Sequence, residues 1–96
     1  YVFHFIEALR DAALALGFSE EQARLLAIET VVGAAALAAD STEDVTVLRQ
    51  RVTSKGGTTE AALNSLNADD FKAAILRAVR AAEARGRELG ELLGKD

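Results

Sequence analysis

Cysteine is missing from this 96-residue chain, which excludes both a disulfide framework and any thiolate metal site. A single histidine, His4, excludes a cluster of imidazole ligands as well. Methionine is also missing, so the sequence as it stands does not begin at a start codon. It opens directly on the helical pattern YVFHFIEAL without a capping residue, and the expectation is a piece excised from a longer protein. Long hydrophobic runs are lacking: the longest uncharged stretch, Thr30 to Ala39, is half of the roughly 20 residues a spanning helix needs. With no signal peptide ahead of it, the reading is of a cytoplasmic chain with no membrane association. Positive charge is in deficit too. A net charge of −4 and a pI of about 5.0 give no basic surface for counterion release, so no nucleic-acid partner is expected.

Half of the residues are hydrophobic and only 5% are aromatic; Ala, Leu, Ile and Val dominate, and side chains that small let helices approach closely. The expectation is one all-α domain over residues 1–96, a helical bundle of about five helices. At this size a lone chain buries only about 60 to 70% of its unfolded surface, which leaves it marginally stable.

In the first segment Val2, Phe5, Ile6, Leu9, Ala13 and Leu16 follow the spacing of one helix face, and Gly17 closes it. Ser19 to Gln22, SEEQ, is a capping box that opens a second helix of about Glu20 to Ala39. After Glu29 that helix has no polar face, so protein should surround it there. A second copy of the chain, meeting it as a two-fold dimer across Gly33 and Ala34 to Ala36, is one way to achieve this. Complete cover within the monomer is the other. Asp40, Ser41 and Thr42 are read as a turn and N-cap, with Glu43 and Asp44 favouring the start of a short helix to about Val52. A two-turn helix capped by Thr58 or Thr59 should carry Ala61, Ala62 and Leu66. Asn67 should cap a final helix that buries Phe71, Ile75, Ala78, Val79 and Ala82. Gly86, Gly90 and Gly94 suggest fraying toward Asp96. The bases Lys72, Arg77, Arg80, Arg85 and Arg87 are interleaved with acids and read as a solvated face.

The segment RVTSKGGTTEAAL, Arg51 to Leu63, breaks this pattern with four hydroxyl side chains, two adjacent glycines and a lysine between Thr53 and Thr59. Paired glycines free the backbone to turn successive N–H groups inward, and the helix that follows has unpartnered N–H groups of its own. Together they suit a carboxylate or phosphate, with Ser54 and Thr59 adding hydroxyls and Lys55 positive charge. An inter-helix loop whose glycines and threonines act only as caps accounts for the same letters. The spacing is not that of a P-loop. Elsewhere His4 has no partner at a catalytic spacing, Glu29 has a pairing candidate in Arg24, and Tyr1, Phe3 and Phe5 read as packing residues.

VTSKGGTTEAAL, preceded by YVFHFIEALRDAALALGFSEEQARLLAIETVVGAAALAAD and followed by FKAAILRAVRAAEARGRELG, resembles the C-terminal domain of pyrroline-5-carboxylate reductase from Tyr1 to about Leu89. The resemblance implies that a Rossmann domain absent from this sequence binds NADPH or NADH. The helical domain then dimerises and carries much of the substrate site. It further implies hydride transfer to the C=N carbon of 1-pyrroline-5-carboxylate, giving L-proline, in an intertwined homodimer that in some members joins a ring of dimers. By the same resemblance, the substrate carboxylate meets the Ser54 hydroxyl and the N–H groups of Gly56, Gly57 and Thr58. Thr59 would hydrogen-bond the ring nitrogen as the catalytic hydroxyl. The chain departs from the family at Lys55 and Ser19, where proline is usual. The contrasting reading is a non-catalytic helical oligomerisation module.

Overall fold

The protein is described by a computed structural model covering residues 1–94. Among these residues there are five α-helices and no strands: α1 Val2–Ala15, α2 Glu20–Asp40, α3 Val45–Arg51, α4 Thr58–Ala68 and α5 Phe71–Gly94. They fall into two units, Tyr1–Gln50 and Arg51–Asp96.

In the first unit α1 packs on α2. The end of α1 is a Schellman motif: Phe18 N–H donates to the Ala13 carbonyl at 3.2 Å and Gly17 N–H to Leu14 at 3.0 Å. Gly17 supplies the required left-handed turn at φ 98°. The capping box of α2 forms as its letters require. Gln22 N–H donates to Ser19 Oγ at 3.2 Å, and Ser19 N–H to Gln22 Oε1 at 3.1 Å. In the apolar half Thr30 turns its hydroxyl back onto the Leu26 carbonyl at 2.6 Å, so this polar group places no demand on a neighbour. Over its 21 residues α2 reaches a mean hydropathy of 1.4 in its best window, long and apolar enough to cross a membrane. The uncharged-run reading understated this, because the window tolerates the charges near the start of the helix. The core helix of a soluble protein meets the same criterion.

Asp44, rather than Ser41 or Thr42, starts α3. Its carboxylate accepts the Thr46 N–H at 3.0 Å, and its carbonyl receives those of Val47 and Leu48, while the Ser41 hydroxyl accepts from Glu43 one step upstream. The Thr46 hydrogen bonds hold the Asp44 carboxyl below its usual 3.8, because they favour the charged form. A folded-state pKa below the unfolded one stabilises above the unfolded value, and the benefit disappears as pH falls through the folded value. A carboxyl-carbon NMR titration should therefore put the Asp44 midpoint below 3.8, with α3 loosening as acid passes it.

In the second unit α4 packs on α5. Asn67 is not a cap: α4 runs three turns through it, and the break falls at Asp69 and Asp70. Asp70 takes φ 53°, donates its N–H to the Asn67 carbonyl at 3.1 Å, and receives the Ala74 N–H at 2.9 Å to open α5. Aspartate is one of the few residues that visits the left-handed region readily. Gly86 and Gly90 lie inside α5. The ion pairs Arg85–Glu88, at 2.8 Å, and Arg87–Glu83 straddle Gly86 and support the turns its flexibility weakens. The helix continues to Gly94, and the fraying expected at Lys95 and Asp96 lies outside the described residues.

Very little of the apolar surface is covered. Among the described residues only Ala23 (0% exposed) and Ala27 (3%) are buried, both on the α2 face toward α1, where Ile6, Leu9 and Ala13 are half-buried. Leu25, Leu26, Val32 and Leu37 of α2 are exposed, as are Ile75, Leu76, Val79 and Leu92 of α5. The stripe expected to be buried on α5 therefore lies open in the single chain, apart from the half-buried Phe71. The accessible surface is 8061 Å². Two separately compact units of half this mass would expose only roughly 6,400 Å².

Candidate functional site

Between α3 and α4 the chain makes a β-turn over Ser54–Gly57, closed by the Gly57 N–H donating to the Ser54 carbonyl at 2.9 Å. Gly56, third in the turn, has φ 76°, while Lys55 before it is not in the positive-φ region. That is the φ pattern of a type II turn, which calls for glycine in the third place and favours proline in the second. Gly57 is glycine for a different reason. A Cβ there would meet the Ser54 carbonyl oxygen at 3.1 Å and the Ser54 Cβ at 3.3 Å, so the turn could not close as tightly. Directly after it, Gly57 acts as the N-cap of α4 with no side-chain cap.

Two of the expected donors already have partners within the chain. The Gly57 N–H is consumed by the turn, and the Gly56 N–H donates to Glu60 Oε1 at 3.1 Å, so neither points freely at a guest. A nest of three successive amides needs them convergent and unpaired; here the turn takes one and the carboxylate of α4 another. The first helical turn pairs internally only from Ala61 onward, whose N–H reaches the Gly57 carbonyl at 3.2 Å. The N–H groups of Thr58, Thr59 and Glu60 have no partner among the described residues. The hydroxyls of Ser54, Thr58 and Thr59 are likewise uncommitted there. Ser54, Lys55 and Thr58 are exposed, whereas Thr59 and Glu60 are half-buried.

What remains is a helix N-terminus with three open N–H groups, a half-buried threonine hydroxyl, and Ser54 and Lys55 across the turn. The helix dipole favours negative charge at this end. Glu60 already exploits it. The sequence reading missed Glu60, although a glutamate three places into a helix is an N-terminal signal in itself. Glycine at the N-cap hid the usual box pattern.

Other chemistry is sparse. His4 Nδ1 lies 3.3 Å from Glu7 Oε1 on the exposed face of α1. A shallow cleft of about 430 Å³ is lined by Arg10, Leu14, Glu20 and Arg24, but the Arg10 guanidinium is bound to Asp11 at 3.1 Å. Among the described residues no three acidic or histidine side chains are grouped to hold a metal. With no strand among them, these residues form no strand–turn–helix cradle for a dinucleotide.

Comparison with known proteins places the whole helical chain in one context. The family model for pyrroline-5-carboxylate reductase dimerisation matches residues 1–89. A pyrroline-5-carboxylate reductase of Pseudomonas aeruginosa is 44% identical over 95 residues, 99% of this chain and 35% of that protein. One from Arabidopsis thaliana is 43% identical over 91 residues, 95% of this chain and 33% of that protein. The chain thus spans about a third of the length of these relatives. Among solved structures, the Plasmodium falciparum pyrroline carboxylate reductase with NADP bound superposes with a TM-score of 0.90 at 34% identity. That match covers 94% of this chain and 36% of the other. The Coxiella burnetii pyrroline-5-carboxylate reductase gives 0.88 at 44% identity, over 93% of this chain and 33% of the other. The chain belongs to the pyrroline-5-carboxylate reductase dimerisation family.

Proposed function

We propose that this chain is the dimerisation and substrate-binding part of a cytoplasmic enzyme that reduces 1-pyrroline-5-carboxylate to L-proline. The observation that carries the reading is the N-terminus of α4. There the N–H groups of Thr58 and Thr59 and the hydroxyls of Ser54, Thr58 and Thr59 stand open beside Lys55, a small polar cup of the right sign for a carboxylate. The carboxylate of the imino acid sits on these N–H groups and on the Ser54 hydroxyl. The Thr59 hydroxyl meets the ring nitrogen, so the two ends of the ring are held and its C=N face is presented in one orientation. The reductant, NADPH or NADH, supplies the hydride and is held by sequence outside these helices. Gly56 and Gly57 shape the turn rather than donate to the substrate.

The apolar surfaces of α2 and α5 are assigned to a second copy of the chain. The excess of exposed area, together with membership in a dimerisation family, supports this over a membrane. The test is calorimetric titration of L-proline into the full-length protein, with reductase turnover measured on the same preparation. Saturable binding that a Ser54→Ala, Thr58→Val double variant weakens at least tenfold is expected. Proline binding indifferent to both changes would remove the cup from the reading.

A further inference from the structure

The Glu60 carboxylate accepts the N–H of Gly56 at 3.1 Å from half-buried ground in the first turn of α4. That contact joins the middle of the Ser54–Gly57 turn to the first turn of α4, whose Thr58 and Thr59 N–H groups are open. The residues of the turn carry little conformational bias of their own. Lys55 occupies the place where proline would fix φ, so the unfolded chain has more freedom to lose here. Gly56 adds more, since its left-handed conformation is one among many open to glycine. Within the turn itself the Gly57 N–H also donates to the Ser54 carbonyl, at 2.9 Å.

We propose that Glu60 is a positioning residue: by holding the Gly56 N–H it fixes the turn against α4, and so places the Ser54 hydroxyl opposite the Thr58 and Thr59 donors. This rests on the substrate reading given above. Glu60 itself does not touch the substrate; it acts through the backbone of Gly56. The bond, not the charge, performs this task, because a neutral amide oxygen accepts the same N–H. A rigid second residue in the turn should make the bond dispensable.

Four forms of the full-length enzyme test this: wild type, Glu60→Ala, Glu60→Gln, and Glu60→Ala combined with Lys55→Pro. Steady-state kinetics are read beside amide exchange at Gly56 without ligand. Glu60→Ala should raise the KM for 1-pyrroline-5-carboxylate roughly five- to tenfold, the size of one ordinary lost hydrogen bond. The KM for the dinucleotide should stay within twofold, and Gly56 exchange should quicken. Glu60→Gln should remain within about twofold of wild type on each measure. Adding Lys55→Pro should recover most of the lost affinity without slowing Gly56 exchange to the wild-type rate.

An unchanged substrate KM in Glu60→Ala overturns the proposal, and so does a Glu60→Gln enzyme as poor as Glu60→Ala. Parallel rises in both KM values also overturn it, since they mark general damage. A wild-type protein that neither reduces nor binds the imino acid overturns the substrate reading and this one with it. Any failure confined to the Glu60 variants of an active enzyme leaves that reading standing.

Discussion

Replacing Thr59 with alanine in the full-length enzyme is expected to lower turnover of 1-pyrroline-5-carboxylate by about a hundredfold or more, within the range associated with losing a group that handles a proton in the transition state. Thr59 is second in α4, half-buried, and its hydroxyl is spent on nothing else among the described residues. On the proposed reading, it receives or supplies a hydrogen bond at the ring nitrogen while its own N–H serves the carboxylate. Alanine removes the first of these and leaves the second. The prediction is consequently uneven: kcat falls steeply, whereas the affinity for L-proline, held mainly through its carboxylate, falls by less. Thr59→Ser keeps the hydroxyl and should keep most of the turnover. Rapid-reaction kinetics at saturating dinucleotide would read the reduction step itself. A Thr59→Ala enzyme that reduces its substrate at the wild-type rate would refute the assignment.

The second large effect is expected on α2. Gly33 lies in the apolar half of that helix, and a Cβ built there meets nothing within 4 Å in the single chain. Within the protomer, then, Gly33→Leu should be harmless, and in helix propensity it is favourable by somewhat under about 1 kcal/mol. Across a helix crossing with a second copy it should be severe, because a leucine forces apart backbones that glycine and the neighbouring alanines allow to approach, and two-fold symmetry imposes the clash twice. Light scattering on the full-length protein should show the mass halved in Gly33→Leu. Val32→Glu, at a position 54% exposed in the single chain, should act similarly by carrying an unpaired charge into the interface. Glu21→Gln, in the solvated first turn, should leave the dimer intact. A Gly33→Leu protein of unchanged mass would exclude α2 from the contact.

The helices whose ends carry a unique chemical signal were legible in the sequence. Ser19 with Gln22 admits hardly any other reading, and Gly17 after an amphipathic run predicts the left-handed cap that is found. Asn67 misled because cap-forming side chains are tolerated inside a helix when Ala and Leu surround them; the actual stop, Asp70, relies on a backbone conformation for which aspartate is a permitted residue but not a diagnostic one. The glycines of α5 do not interrupt the helix before Gly94. At Gly86 the cost of about 1 kcal/mol is partly offset by two ion pairs at three- and four-residue spacing, which a count of breakers does not weigh. At the loop, the letters GG announced a special backbone correctly but not which N–H groups it would leave open. That depends on the Ser54 carbonyl closing the turn and on the reach of Glu60, neither of which periodicity encodes. The uncovered stripes on α2 and α5 were visible as patterns, yet a pattern does not say whose atoms complete it.

With two alanines as its whole enclosed core among the described residues, the protomer has little hydrophobic driving force of its own. If a second copy supplies the remainder, folding is a bimolecular equilibrium, and mass action enters its stability directly. The melting temperature would then climb with protein concentration, and simple dilution would unfold the chain as surely as urea.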